Sequence, residues 1–253
     1  MKIRIYGDRD KEKILALHPM LINGEIMAEL IQGLKKDYCI IAPDFTAHGA
    51  DHGEFESAVK ETKMLAGYLK KKGWTEFRMI FGASLGAAVG MRLLALPEIK
   101  AQAVVFEGCI LHKNASLLLP IAMKTFYGKF KQMREDPVLC EKNIKKIYGE
   151  TFGGGMAESF RNMSEKSIRA IITACAKCEF PKYSKELQSR MFFEYGSEDF
   201  NREAGEKNIG KHYPHAHISV RPGFAHCQYM AKMGTEYGDV LQEYLEATKD
   251  FEL

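Results

Sequence analysis

The sequence predicts an α/β protein: a mostly parallel central sheet with helices on both faces and a helical insertion between two of its strands. Three observations carry that expectation. Short apolar runs alternate with helical patterns from residue 2 to residue 106, the order in which a parallel sheet is written into a chain. The alternation stops near Cys109, gives way to helical patterns alone as far as Lys185, and then resumes. Between one strand-like run and the helix-like run after it lies Gly82-Ala83-Ser84-Leu85-Gly86, a sharp strand-to-helix turn.

Taken in order, Lys2 to Tyr6 alternates weakly and reads as an edge strand before the turn Gly7-Asp8. Ile14 to Leu17 is a buried strand ending in His18-Pro19-Met20. A helix is expected over Gly24 to Lys36, with Ile26, Met27, Leu30, Ile31 and Leu34 on one face. Tyr38 to Ala42 is a strand broken by Pro43-Asp44, and Phe45 to Gly53 is a loop carrying His48-Gly49 and His52-Gly53. Glu54 to Lys72 repeats its apolar residues at helical spacing. Lys35-Lys36 and Lys70-Lys71-Lys72 fall at helix ends, where cations complement the helix dipole. Met79 to Phe81 is the strand before the glycine turn, a helix follows the turn, and Ala101 to Phe106 is the next strand.

From His112 to about Lys185 the pattern is helical, interrupted at Asp136-Pro137 and at Gly153-Gly154-Gly155. Its first part (Leu117, Ile121, Met123, Phe126, Tyr127, Phe130, Met133) is more apolar than one core-facing helix needs. A strand over Met191 to Tyr195, a helix over Glu203 to His212, a strand over Ile218 to Val220 and a C-terminal helix with Met230, Met233, Tyr237, Leu241 and Tyr244 inward complete the chain. The division expected is a core of residues 1–108 and 186–253 with residues 109–185 as a helical cap. Such a cap would lie over the carboxyl ends of the strands, where α/β sheets bind ligands.

Bulk properties narrow the function. The 253 residues suit one domain with a large core, and a net charge of +3 without a basic stripe speaks against nucleic acid as partner. No apolar run approaches the ~18 residues that span a bilayer, and the charged start MKIRIYGDRDKEK does not read as a signal peptide. The expected compartment is therefore the cytoplasm, with the 6 cysteines as reduced thiols. Cys175 and Cys178 form one C-x-x-C without a second pair for zinc. His212, His215 and His217 straddle Pro214 and read as surface or strand-entry residues, so neither metal nor cofactor is expected. The glycine turn is not a phosphate loop, since neither G-x-x-x-x-G-K-[ST] nor G-x-G-x-x-G is present.

The turn itself points to chemistry. A serine hydroxyl is a poor nucleophile unless it is held exposed beside a base, and a strained strand-to-helix turn does this for Ser84. Gly82 and Gly86 remove the side chains that would collide where strand and helix nearly touch. A base needs an orienting acid. Asp199 lies in the loop after one late strand and His226 in the loop after the next, on the sheet edge that holds Ser84. Glu107 and Glu198 are alternative acids. His18 and His48 are expected to border the pocket, and Cys227 to be a small buried residue at a helix start.

Gly82-Ala83-Ser84-Leu85-Gly86, Gly196-Ser197-Glu198-Asp199, Gly223-Phe224-Ala225-His226 and Pro43-Asp44 through His48-Gly49 together resemble the α/β-hydrolase superfamily, in its cap-bearing esterase and lipase-like branch. The resemblance covers nearly the whole chain. It implies Ser84 as nucleophile, His226 as general base and Asp199 as orienting acid. The family usually has His-Gly where this chain has His18-Pro19. Proline has no amide hydrogen, so the oxyanion donors implied are the amides of Leu85 and Met20. The function implied is hydrolysis of a small apolar ester, or a thioester. Acyl transfer, C–C bond hydrolysis and non-catalytic binding of a small molecule are the alternatives on the same scaffold.

Overall fold

A computed structural model of the chain describes residues 1–111, 115–176 and 179–252, the side chains of residues 115–118 excepted. His112, Cys178 and the Leu117 side chain lie outside the described residues and side chains. Seven strands make one sheet: β1 (Lys2–Tyr6), β2 (Lys13–Leu17), β3 (Cys39–Asp44), β4 (Glu76–Ala83), β5 (Lys100–Glu107), β6 (Met191–Gly196) and β7 (His217–Arg221). Their spatial order is β1-β3-β2-β4-β5-β6-β7. β1 runs antiparallel to β3 and the other neighbouring pairs are parallel. The central strands are apolar along their length, as strands covered on both faces must be: β4 is buried from Phe77 to Ala83.

Helices α1 (Gly24–Leu30), α2 (Ala58–Lys72) and α3 (Leu85–Leu94) belong to the first half of the sheet. Between β5 and β6 the chain is helical throughout: α4 (Ala115–Ala122), a π-helical turn Met123–Tyr127, α5 (Gly128–Glu135), α6 (Pro137–Tyr148), α7 (Glu150–Asn162), α8 (Glu165–Ala176) and the short α9 (Lys185–Gln188). α10 (Arg202–His212) joins β6 to β7, and α11 (Gln228–Met233) and α12 (Tyr237–Ala247) close the chain. Local chemistry explains the ends. Asn23, Ser57 and Asp136 each accept an amide of the first turn they precede, and Pro137 occupies a first helical position where no amide is needed. Gly73, at φ 67°, stops α2 just after its three lysines.

The structure departs from the sequence expectations at five places, each for a physical reason. The helix expected over Gly24 to Lys36 breaks at Ile31, which is fully buried against the Gly238 backbone, and continues as a 3-10 turn over Gln32–Lys36. β3 runs through Pro43-Asp44, because its ladder with β2 ends at Ile41 and Pro43 pairs with β1 alone. α2 starts at Ala58 instead of Glu54: Glu54 accepts the hydroxyls of Ser164 and Ser167, and the Phe55 amide donates to Ser167 Oγ. Gly153-Gly154-Gly155 do not interrupt a helix but lie inside α7, where a Cβ on Gly153 would sit 2.7 Å from the Lys145 Cα of α6. The glycines are a helix-packing surface. The C-terminal helix is two helices, parted at Gly234 with φ 57°.

The helical stretch between β5 and β6 is tied down at both ends. The Tyr183 hydroxyl donates to the Met91 carbonyl at 2.6 Å, and the Tyr195 hydroxyl to that of Cys109 at 2.8 Å. Asp44, at the end of β3, accepts the amides of Gly24 and Ala50 and the Nε of Arg4, which shapes the loop that follows. Among the described residues no helix is long and apolar enough to cross a membrane.

Candidate active site

β4 ends at Ala83 and α3 begins at Leu85, so the whole reversal of direction falls on Ser84, held at φ 49° and ψ −106°. A side-chain-bearing residue in such a region costs about 1–3 kcal/mol and persists where its surroundings fix it. They do. The Ser84 amide donates to the Glu107 carbonyl of β5 at 2.9 Å. A Cβ on Gly86 would lie 2.0 Å from the Leu17 carbonyl oxygen, and one on Gly82 would lie 2.8 Å from that of Gly86. The glycines of the turn are there because backbone meets backbone on both sides of the serine.

His226 stands in the loop between β7 and α11, with Nε2 3.0 Å from Ser84 Oγ and Nδ1 2.9 Å from Asp199 Oδ2. With Nδ1–H donating to the carboxylate, Nε2 is left as the acceptor for the serine hydroxyl. Asp199 follows β6, and its second oxygen accepts the Asn201 amide at 2.8 Å. The three residues singled out in sequence therefore meet in one line of hydrogen bonds. Glu198 is exposed and joins none of it.

Met20 and Leu85, the two residues expected to supply amides, flank the serine. Leu85 is the first residue of α3, a position whose amide has no partner within the helix. The His18 Nδ1–H donates to the Pro19 carbonyl at 2.7 Å. In a planar trans peptide the next amide points the opposite way, so the Met20 N–H is directed away from His18. Met20 lines both cavities that contain Ser84.

His18 and His48 do not border the pocket as expected. Both are fully buried, and His18 Nε2 accepts the Phe45 amide at 3.0 Å. Burial pushes their imidazoles down, His18 to about 4 and His48 to about 3. They are neutral struts under the loop. His212 stacks on Phe180 and His217 on Phe192, and among the described residues no group of three His, Cys, Asp or Glu side chains is placed to hold a metal ion. Cys227 is buried at the start of α11, its thiol raised well above its ordinary value by burial, then by Glu107 and Asp199.

Two neighbours of the imidazole carried no signal in the sequence. Asn201 is fully buried, with its side-chain nitrogen 3.3 Å from His226 Nδ1. Phe200 is 63% exposed and lays its ring 5.1 Å from that of His226. Glu107, one of the alternative acids, is buried at the end of β5 opposite Glu194. Burial first, then Glu194, raise its carboxyl well above the carboxylate range. Glu107 hydrogen-bonds the Met230 amide of α11 and makes no hydrogen bond to His226, whereas Glu194 takes Arg221, Tyr237 and Tyr244.

Two small chambers open onto Ser84, His226 and Met20, with Phe126 of the π-helical turn between them. One, of about 40 Å³, is lined by Ile110, Ala122, Ile172, Cys175 and Phe200, with Asn201 at its edge. The other, of about 30 Å³, is lined by Leu21, Tyr148, Phe152, Met156 and Cys227. Helices between β5 and β6 thus wall both chambers. A roomier groove of about 420 Å³ beside Ala58, Arg92 and Arg169 does not reach Ser84.

This sheet order, with a strained serine turn after the central strand and a histidine after the last, is the α/β-hydrolase fold. No protein-family model matches the sequence, and no curated protein matches it. Solved structures do match. A carboxylesterase structure from the ammonia-oxidizing thaumarchaeon Nitrososphaera gargenis superposes with a TM-score of 0.75 at 17% identity, covering 98% of this chain and 94% of that one. An esterase from Rhodococcus sp. gives 0.70 at 18% identity, over 97% and 94% of the two chains. A bromoperoxidase from Bacillus anthracis gives 0.73 at 16% identity, over 96% and 94%. At these identities the likeness establishes the fold.

Proposed function

We propose that the protein is a serine hydrolase that cleaves a carboxylic ester, or a thioester, of a small apolar substrate through an acyl-enzyme. The observation that carries this reading is the pair of contacts at His226, 3.0 Å to Ser84 Oγ and 2.9 Å to Asp199 Oδ2. Ser84 Oγ attacks the substrate carbonyl carbon while His226 Nε2 takes the hydroxyl proton. Asp199 keeps the ring in the required tautomer and balances the imidazolium. The carbonyl oxygen, now negative, is held by the amides of Leu85 and Met20. Collapse expels the alcohol, which receives the proton from His226 and leaves an ester on Ser84. Water then gives its proton to His226 and attacks the acyl carbon. The carboxylic acid departs and the serine recovers its proton. Each step uses groups of the chain itself and calls for no cofactor.

Residues 109–185 act in this reading as a cap over a core of residues 1–108 and 186–253, and they enclose the substrate's apolar parts. The nearness of esterase folds supports ester over other acyl chemistry. The test is turnover of p-nitrophenyl acetate and butyrate by the wild type and by Ser84→Ala. Hydrolysis lost in a folded variant supports the reading; hydrolysis undiminished would sink it.

A further inference from the structure

The two chambers beside Ser84 differ in where they carry a hydroxyl besides that of the serine. The chamber walled by Ile110, Ala122, Ile172 and Phe200 presents hydrocarbon and the Cys175 thiol, with Asn201 at its edge beside His226 Nδ1. The other also presents hydrocarbon, from Leu21, Phe126, Phe152 and Met156, and a thiol, that of Cys227, and adds the phenol of Tyr148. Tyr148 is the last residue of α6, and its ring stacks on Phe152 with centroids 5.7 Å apart at 23°. That stacking fixes the phenol against the wall. Its hydroxyl makes no hydrogen bond to any described residue. Tyr148 is half-buried, so its hydroxyl reaches water in the free protein, and a plain alkyl arm that displaces that water would leave the phenol unpaired. Burial, followed by Cys227, Asp199 and Glu107, pushes the phenol's pKa up, so the hydroxyl stays protonated and available as an O–H donor.

We infer that Tyr148 selects a substrate whose arm in this chamber carries an oxygen acceptor, such as an ether, hydroxyl or carbonyl, while the opposite arm is plain alkyl. The inference rests on the reading of Ser84 as the nucleophile toward an ester. It names the substrate class: a short ester with one hydrocarbon arm and one oxygen-bearing arm. The chambers set the lengths. A water needs roughly 10–15 Å³ of such space, so about 30 Å³ and about 40 Å³ admit arms of a few heavy atoms each.

The experiment uses pairs that differ by one CH2→O exchange. For the acyl arm these are p-nitrophenyl butyrate and p-nitrophenyl methoxyacetate; for the alcohol arm, butyl acetate and 2-methoxyethyl acetate. kcat/KM is measured for wild type and Tyr148→Phe, and the ether-to-alkyl ratio is compared between the two proteins, which cancels intrinsic reactivity. The ratio is expected to fall about tenfold in the variant for one of the two series, the one whose arm enters the chamber. Tyr148→Leu gives the same comparison if the phenylalanine variant does not fold. Ratios within twofold of each other in both series would overturn the inference while leaving the hydrolase reading intact. If the wild type hydrolyses no ester, that reading fails by itself. The pairs are then compared by ligand-observed NMR binding to Ser84→Ala. An ether preference that Tyr148→Phe abolishes upholds the Tyr148 assignment, and equal binding refutes it.

Discussion

Replacing His18 with leucine tests how the loop before the site is held. The residue is fully buried and makes two hydrogen bonds: Nδ1–H to the Pro19 carbonyl at 2.7 Å and Nε2 from the Phe45 amide at 3.0 Å. Leucine fills a similar volume and makes neither, so one buried carbonyl and one buried amide lose their partner. Each such loss costs about 1–3 kcal/mol, giving a total of roughly 2–6 kcal/mol in unfolding free energy. The catalytic consequence is separate. Without the bond to the Pro19 carbonyl, the Pro19–Met20 peptide is free to turn, and in the proposed reaction the Met20 amide would lose its place at the developing oxyanion. Loss of one such donor costs about 10²–10³ in kcat, with KM little changed. The assay is ester hydrolysis by the folded variant, paired with urea unfolding. His18→Asn keeps a donor near the Nδ1 position and is expected to retain more of kcat. A folded His18→Leu variant with kcat within threefold of wild type would refute the link between His18 and the oxyanion amide. The same bonds carry a pH signature. Burial depresses the His18 imidazole from its ordinary 6.5 to about 4. Stability from its neutral form is therefore complete above pH 6.5 and is lost as the pH falls toward 4, by about 3 kcal/mol in all. His18→Leu should flatten that part of the stability curve.

Other perturbations give equally definite outcomes. Asp199→Asn should lower kcat by about 10³–10⁴ with KM preserved, because an amide favours the wrong imidazole tautomer; steady-state kinetics within tenfold of wild type would remove Asp199 from its role. Glu107→Gln bears on the raised carboxyl at the end of β5. Because the folded value lies above the ordinary 4.5, stability associated with the protonated form is full below that pH and declines as the pH rises toward the folded value. Glutamine has no proton to lose, so denaturation between pH 4 and 8 should show the variant gaining on the wild type as pH rises, and parallel curves would contradict this. Gly153→Ala should destabilise by about 1–3 kcal/mol through contact with the Lys145 backbone, opposite in sign to the ~1 kcal/mol gain usual for alanine in a helix; a stabilised variant would show that α6 and α7 are not packed this closely.

The residues that were legible in the sequence are those whose local backbone does the work. Gly82 announces the turn because the contact that forbids a Cβ there comes from Gly86 within the same turn; Gly86 is legible from its place in the motif, although its own contact is with Leu17 at the end of β2, and strand-loop-histidine order brings Asp199 and His226 to the same rim. What stayed hidden depends on partners distant in the chain. Ile31 leaves its helix because it packs on Gly238, more than two hundred residues away, and Gly153 reads as a break unless α6 is known to lie against it. His18 and His48 look like pocket residues from their positions, yet a buried amide and two ring contacts claim them for the scaffold. Asn201 and Phe200 are an ordinary pair of letters after Asp199, and only the fold sets them against the imidazole. The chamber walls depend on how α6, α7 and α8 cross over Ser84, which helical periodicity does not fix.

The most direct test of the account is the site of covalent labelling by a fluorophosphonate, located by peptide mass spectrometry in wild type and in His226→Ala. One adduct on Ser84 in the wild type, formed quickly at neutral pH and suppressed by at least ~100-fold without the imidazole, is the expected result. An adduct elsewhere, or Ser84 labelling that does not depend on His226, would contradict the claim that this histidine makes the serine a nucleophile.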